Sequence, residues 1–263
     1  MVAENTGLVG KTAVVTGGGR GIGAAIARSL VDSGARVVVS ARSTDEIEAT
    51  ATALREAGGA AFAVAADVSK PDQVAALFEQ SVEHLGQVDI LVNNAGFALS
   101  SSLAKIRLED WERLFAVNVT GTFLCTQKFI PAMAERGWGR VVNVASIAGR
   151  MGAPYISAYV ASKHAVVGFT RAIALEYAST GVTVNAVGPG YVDTPLVDQA
   201  VDNIAAKTGL DGEAARETLR QQSPQGRIYT PEEVAFLVTM LCDPRAGGIN
   251  AQCVVLDGGT VQA

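Results

Sequence analysis

KTAVVTGGGRGIGAAIARSLVDSG, residues 11–34, sets the direction of the reading. A β-branched run, KTAVVT (11–16), passes without a spacer into TGGGRGIG (16–23), and then into a helical pattern with apolar residues three and four apart, closed by Gly34. The run has the character of a strand buried on both faces, and the pattern after it that of an amphipathic helix. Gly17, Gly21 and Gly23 fall in a G-x-x-x-G-x-G spacing. Glycines permit the tight turn and the close approach of a backbone, while a helix N-terminus offers unpaired N–H groups and a positive dipole to a pyrophosphate. Gly17, Arg20, Gly21, Ile22 and Gly23 are therefore candidate cofactor-binding positions, the alternative being an ordinary glycine-rich turn.

The same alternation continues along the chain. Strand-like runs recur at 35–40, 60–66, 88–94, 140–146, 182–187 and 252–257, separated by helical patterns such as PDQVAALFEQSVEHLG, opened by Pro71 and closed by Gly86. Alternating strands and helices imply right-handed βαβ crossovers. The expected fold is α/β: one Rossmann-type, doubly wound, seven-stranded parallel sheet with helices on both faces, occupying residues 1–263 as a single domain. Residues 191–230 depart from the pattern, with two polar helical stretches, VDQAVDNIAAK and GEAARETLRQQ, flanking TGLDG. Ligands of such sheets sit beyond the carboxyl ends of the strands, so this insertion reads as a substrate lid.

With 49% hydrophobic and 18% charged residues, the 263-residue chain has a globular composition, and its net charge of -5 provides no broad basic field for nucleic acid or anionic membrane. A small molecule is the better-fitting partner. The N-terminus carries Glu4 and lacks an apolar signal core, and no apolar run reaches the roughly 18 residues of a membrane span. Three widely spaced cysteines (Cys125, Cys242, Cys253) suit free thiols in a reducing compartment, so the cytoplasm is expected. Two histidines without clustered acids argue against a metal site.

Cofactor preference is read at the tip of the second strand, which ends in Ser40, Ala41 and Arg42. An NAD enzyme places an acid near there to hold the ribose hydroxyls. Arg42 can instead pair with a 2′-phosphate and stack on adenine, with Arg20 as a second cation. NADP(H) is expected over NAD(H); the competing reading leaves Arg42 solvated and gives the ribose to Asp45.

In SAYVASK (157–163), Tyr159 and Lys163 lie one helical turn apart on one face. With this pair in place, the chain resembles the short-chain dehydrogenase/reductase family over nearly its whole length. The resemblance is carried by TGGGRGIG, Asp67 and Val68, NNAG at 93–96, Asn118 in VNVTG, Ser146, Tyr159 with Lys163, and PGYVDTP at 189–195. It implies that Asp67 and Val68 contact adenine, that Asn94, Ala95 and Gly96 line the cofactor channel, and that Val192 and Thr194 hold the carboxamide. It further implies that Asn118 supports a proton path, Ser146 holds the substrate oxygen, Lys163 also binds the nicotinamide ribose, and the protein forms a homotetramer or homodimer. The pattern from Glu109 to Glu135, with Phe115, Phe123, Leu124 and Phe129, exceeds the needs of one sheet face and suits such an interface, with core packing as the alternative.

A ketone receiving hydride develops charge at its oxygen, and a donor there both stabilises that charge and delivers a proton. Tyr159 is suited to this, and Lys163 is expected to lower its pKa from about 10 toward the working range. Phe97, Leu99, Ile147, Met151, Tyr155, Tyr191 and Leu196 are candidate pocket walls, mostly apolar, favouring a neutral or acyl-bearing ketone. The sequence is similar to 3-oxoacyl and polyketide ketoreductases, although Thr180 stands where carrier-protein reductases often have a basic residue; the lid is also similar to that of 3-hydroxybutyrate dehydrogenases. An NADPH-dependent carbonyl reductase, a dehydrogenase of secondary alcohols or hydroxy acids, and a non-catalytic cofactor-sensing scaffold remain as readings, and the complete Asn118, Ser146, Tyr159, Lys163 set speaks against the last.

Overall fold

All seven expected strands form in the computed structural model, which describes residues 7–262; the first six residues, including Glu4, and Ala263 lie outside the described residues. The strands are β1 (Thr12–Thr16), β2 (Arg36–Ala41), β3 (Ala61–Ala65), β4 (Ile90–Asn93), β5 (Gly139–Val144), β6 (Val182–Pro189) and β7 (Cys253–Leu256). They build one sheet in the order β3-β2-β1-β4-β5-β6-β7, with every neighbouring pair parallel. Alternate residues of each strand serve opposite faces. Ala13 and Val15 of β1, with Val37 and Val39 of β2, pack under α1 (Gly21–Asp32), α2 (Thr44–Glu56) and α9 (Pro231–Cys242). Val14, Val38 and Leu91 meet α3 (Pro71–Leu85) and α5 (Gly121–Glu135) on the other face, where Val166 and Val167 of α6 (Ser157–Glu176) also pack, against Ala145 and Ala186. Burial on both faces explains why these strands read as unbroken apolar runs.

The sequence order reverses between β1 and β4, and a crevice opens there at the carboxyl ends of the strands. Four strand ends therefore supply the site: β1 with the glycine turn, β4 with NNAG, β5 with Ser146, and β6 with PGYVDTP. The pattern from Glu109 to Glu135 is not a uniform α-helix. It divides into α4 (Leu108–Phe115), a π-helical turn at Ala116–Thr120, and α5. The 191–230 insertion forms α7 (Pro195–Thr208) and α8 (Gly212–Arg220) around a small core of Val197, Val201, Ala215 and Leu219. Its two ends are joined, because Val192 pairs in parallel with Tyr229. Among the described residues no helix is long and apolar enough to cross a membrane.

Candidate active site

The glycine turn is shaped by its neighbours. A Cβ on Gly23 would lie 2.1 Å from the Gly17 carbonyl oxygen and 2.6 Å from Asn94 Nδ2, and Gly17 itself has φ of 63°, which favours glycine. Helix α1 then begins with no side-chain cap at Arg20, leaving its first N–H groups to the crevice. An uncapped helix start above a cradle that side chains would fill fits a dinucleotide pyrophosphate. The Asn94 amide does not face that cradle openly: its Nδ2 donates to the carbonyls of Thr16 at 2.9 Å and Gly17 at 3.1 Å. Thr16, overlooked in the sequence, organises the crevice floor, since its hydroxyl accepts the N–H groups of Asn94 (3.0 Å) and Ala95 (3.1 Å) and donates to the Val92 carbonyl. Its only sequence signal is a hydroxyl at the last position before the turn.

Arg42 is exposed at the tip of β2, where its charge acts on Asp67. Burial pushes the Asp67 carboxyl up, but hydrogen bonds from Ser69 and the cations Arg42 and Lys70 outweigh it and hold the group below the usual carboxylate range. Val68 is buried against Gly121, where a Cβ would stand 2.7 Å from Val68 Cγ2. Arg20 has a side chain 67% exposed, with Nη1 lying 3.3 Å from Glu46 Oε1. The sequence reading of Arg20 as a second phosphate cation overlooked this acid, which sits in the first turn of α2 after Ser43.

Asn118, Ser146, Tyr159 and Lys163 converge. Lys163 Nζ lies 5.6 Å from the Tyr159 ring centroid, so the pair shares one side of α6, and the Tyr159 hydroxyl hydrogen-bonds with Ser146. A Cβ on Gly96 would fall 3.1 Å from Asn118 Oδ1 and 3.7 Å from Lys163 Nζ, which places NNAG against both. The Asn118 side chain accepts from the Phe97 N–H at 3.1 Å, donates to the Phe97 carbonyl at 2.9 Å, and donates to Ser162 Oγ at 3.2 Å. It thus clamps the loop that follows NNAG. The Asn118 carbonyl sits in the π turn and accepts from Thr122 Oγ1 at 2.9 Å; π turns are frequent at functional sites, and nothing in VNVTG marks one.

The expectation that Lys163 lowers the Tyr159 pKa is overturned. Burial pushes the phenol up to about 12, with the Ser146 hydrogen bond acting against the rise. Burial also brings the Lys163 ammonium down to about 8, and its Nζ donates to the Val144 carbonyl at 2.8 Å. Desolvation is the largest cause of both shifts, and it moves the phenol further from ionisation.

The pocket candidates divide. Phe97, Leu99, Ile147 and Tyr191 are partly buried, whereas Met151 (37%), Leu196 (40%) and Tyr155 (64%) are exposed. Tyr155 is a rim residue and not a wall: its φ of 66° turns it outward while its carbonyl accepts the Ser101 N–H at 2.7 Å. Tyr191 Oη donates to Gln222 at 3.3 Å, joining the start of the insertion to its end. Val192 is buried, and Thr194 lies over the glycine turn, its Cγ2 being 3.2 Å from a Cβ placed on Gly21.

Comparison with known proteins agrees with this arrangement. The short chain dehydrogenase family model matches residues 11–205. Curated relatives include a D-beta-hydroxybutyrate dehydrogenase of Rhizobium meliloti, 38% identical with 95% of this chain and 98% of that protein covered. A putative ketoacyl reductase of Streptomyces coelicolor is 41% identical, with 95% and 96% covered. Among solved structures, a tryptophan variant of actinorhodin polyketide ketoreductase with NADPH superposes with a TM-score of 0.93 at 41% identity, covering 95% of this chain and 97% of that one.

Proposed function

The chain belongs to the short-chain dehydrogenase family, and from that premise we propose that it is an NADP(H)-dependent reductase of a 3-oxoacyl or related ketone, with Tyr159 as the general acid. The observation that carries this reading is the convergence of Asn118, Ser146, Tyr159 and Lys163 beside a glycine-lined crevice, with Lys163 Nζ 5.6 Å from the Tyr159 ring centroid. A proton donor must hold its proton before the reaction, which suits reduction.

The crevice would hold a reduced nicotinamide, which would supply the hydride. Ser146 Oγ holds the substrate oxygen, Tyr159 Oη delivers its proton as charge develops there, and Lys163, 5.6 Å from the ring, stabilises the phenolate left behind. Asn118 fixes the loop of Phe97, one wall of the pocket, through both backbone groups of that residue. Helices α7 and α8 form a lid over the substrate. NADP(H) is preferred because Arg42 stands exposed where an NAD enzyme would carry an acid, and a related ketoreductase was crystallised with NADPH.

A second reading, oxidation of a secondary alcohol or hydroxy acid by the same residues, draws on the 38% identity to a D-beta-hydroxybutyrate dehydrogenase. Three free cysteines support a cytoplasmic setting. The exposed side chains of Phe123 and Leu175, on α5 and α6, support a homodimer or homotetramer, measurable by light scattering.

Turnover of ketones and alcohols, followed by nicotinamide absorbance with each cofactor, tests the reading. Faster reduction of 3-oxoacyl ketones with NADPH is expected, whereas turnover confined to hydroxy acids with NAD would replace it by the second. Arg42→Ala should weaken the preference for NADPH by about 10- to 100-fold, the scale of a lost charge-assisted hydrogen bond; an unchanged ratio of affinities for the two cofactors would remove Arg42 from the argument.

A further inference from the structure

Arg216 projects from α8 with its side chain 22% exposed and donates to two carboxylates, Nη2 to Asp193 and Nη1 to Asp198 Oδ1, the latter at 3.0 Å. The two acids belong to different parts of the molecule. Asp193 lies between Val192 and Thr194, in the loop that crosses the glycine turn, while Asp198 lies in the first turn of α7. The loop is also held from below by backbone alone, since the Asp193 N–H reaches the Tyr229 carbonyl and the Tyr229 N–H reaches the Tyr191 carbonyl, both at 2.8 Å. One guanidinium thus joins α8, α7 and the loop carrying Val192 and Thr194.

Solvated ion pairs contribute little on average, but this one differs in three respects. The Arg216 side chain is only 22% exposed although both acids are 60% exposed, its planar fork spans two acids at once, and its removal leaves the two carboxylates without their shared countercharge. We propose that Arg216 is a positioning residue that couples the α7–α8 pair to the cofactor loop, so that the grip of Val192 and Thr194 on the nicotinamide end depends on α8. The proposal rests on the reading of the crevice as a nicotinamide-cofactor site.

Fluorescence titration with NADPH, without substrate, tests it. Arg216→Ala should raise the NADPH Kd about tenfold, a typical size for coupling between elements, while circular dichroism and Tm stay close to wild type. Arg216→Lys, which keeps the charge but cannot fork, should raise it about threefold. Adding Asp198→Asn to Arg216→Ala should recover part of the loss by relieving the repulsion, which a merely structural role of Arg216 would not produce. A Kd within about twofold of wild type in Arg216→Ala, or a double variant no better than the single one, overturns the proposal. If Arg216→Ala does not fold, Arg216→Lys decides by the same twofold limit. A wild-type protein that binds neither NADPH nor NADH overturns the cofactor reading itself, and Arg216 with it.

Discussion

The crevice at the strand ends and the α7–α8 pair are held by different forces. In the crevice, side chains are fixed by backbone partners elsewhere in the fold: Asn94 by the Thr16 and Gly17 carbonyls, Lys163 by the Val144 carbonyl, and Asn118 by both backbone groups of Phe97. The α7–α8 pair has a core of four buried side chains and is tied by the exposed acids Asp193 and Asp198 to Arg216. Backbone partners cannot be lost by point substitution, whereas each ion pair can. The reaction machinery is accordingly rigid and the element above it adjustable, a division under which substrate choice can change while the chemistry stays.

Substitutions in the two regions should separate in size. Tyr159→Phe is expected to lower the rate of ketone reduction by about 10² to 10⁴ with NADPH binding nearly unchanged; turnover close to wild type would end the role given to this phenol. Gly23→Ala drives a Cβ toward the Gly17 carbonyl at 2.1 Å. It should cost about 1 to 3 kcal/mol of stability by overpacking and abolish cofactor binding in a titration, and normal affinity would show that the turn can yield.

Lys163→Met should separate stability from activity. The Lys163 ammonium titrates at about 8 in the folded protein, below its ordinary 10.5. Between those values the unfolded chain holds a proton that the folded one has released, so wild-type stability rises with pH across that window, and below it the buried cation carries its full cost. At pH 7, Lys163→Met is therefore expected to melt about 2 to 4 °C higher than wild type, the shift that roughly 1 kcal/mol produces in a chain of this size. The difference should shrink as pH approaches 10, and ketone reduction should be lost. A lower Tm at pH 7 would mean that the bond to the Val144 carbonyl outweighs desolvation. The smallest effect belongs to the lid: Leu196→Ala, at a side chain already 40% exposed, should change KM by about two- to fivefold with kcat preserved, and a large fall in kcat would contradict the division drawn above.

What could be read from the sequence follows the same division. Seven apolar runs became seven strands, most clearly in the central strands β1, β4, β5 and β6, where burial on both faces leaves an apolar signature with no periodicity to misread, and the glycine turn and the Tyr159–Lys163 pair are local in the chain. The features missed depend on distance or solvent. Arg216 lies 23 residues from Asp193, and Glu46 lies 26 from Arg20. The desolvation that reverses the expected shift of Tyr159 comes from surrounding mass, which adjacency to Lys163 does not reveal.

The π turn at Ala116–Thr120 has a consequence for how this long helix tolerates length changes. Such a turn amounts to one surplus residue in an otherwise regular helix. Deleting a single residue there would restore ordinary winding and leave the downstream faces close to their present phase, because the wide turn has already absorbed the extra residue locally. Cys125, Phe129 and Met133 would keep their places against the sheet, whereas the stretch around Asn118 would lose its wide turn. A one-residue deletion in this segment should therefore spare the core and be felt at Asn118, whose bonds to both backbone groups of Phe97 depend on where the wide turn places it.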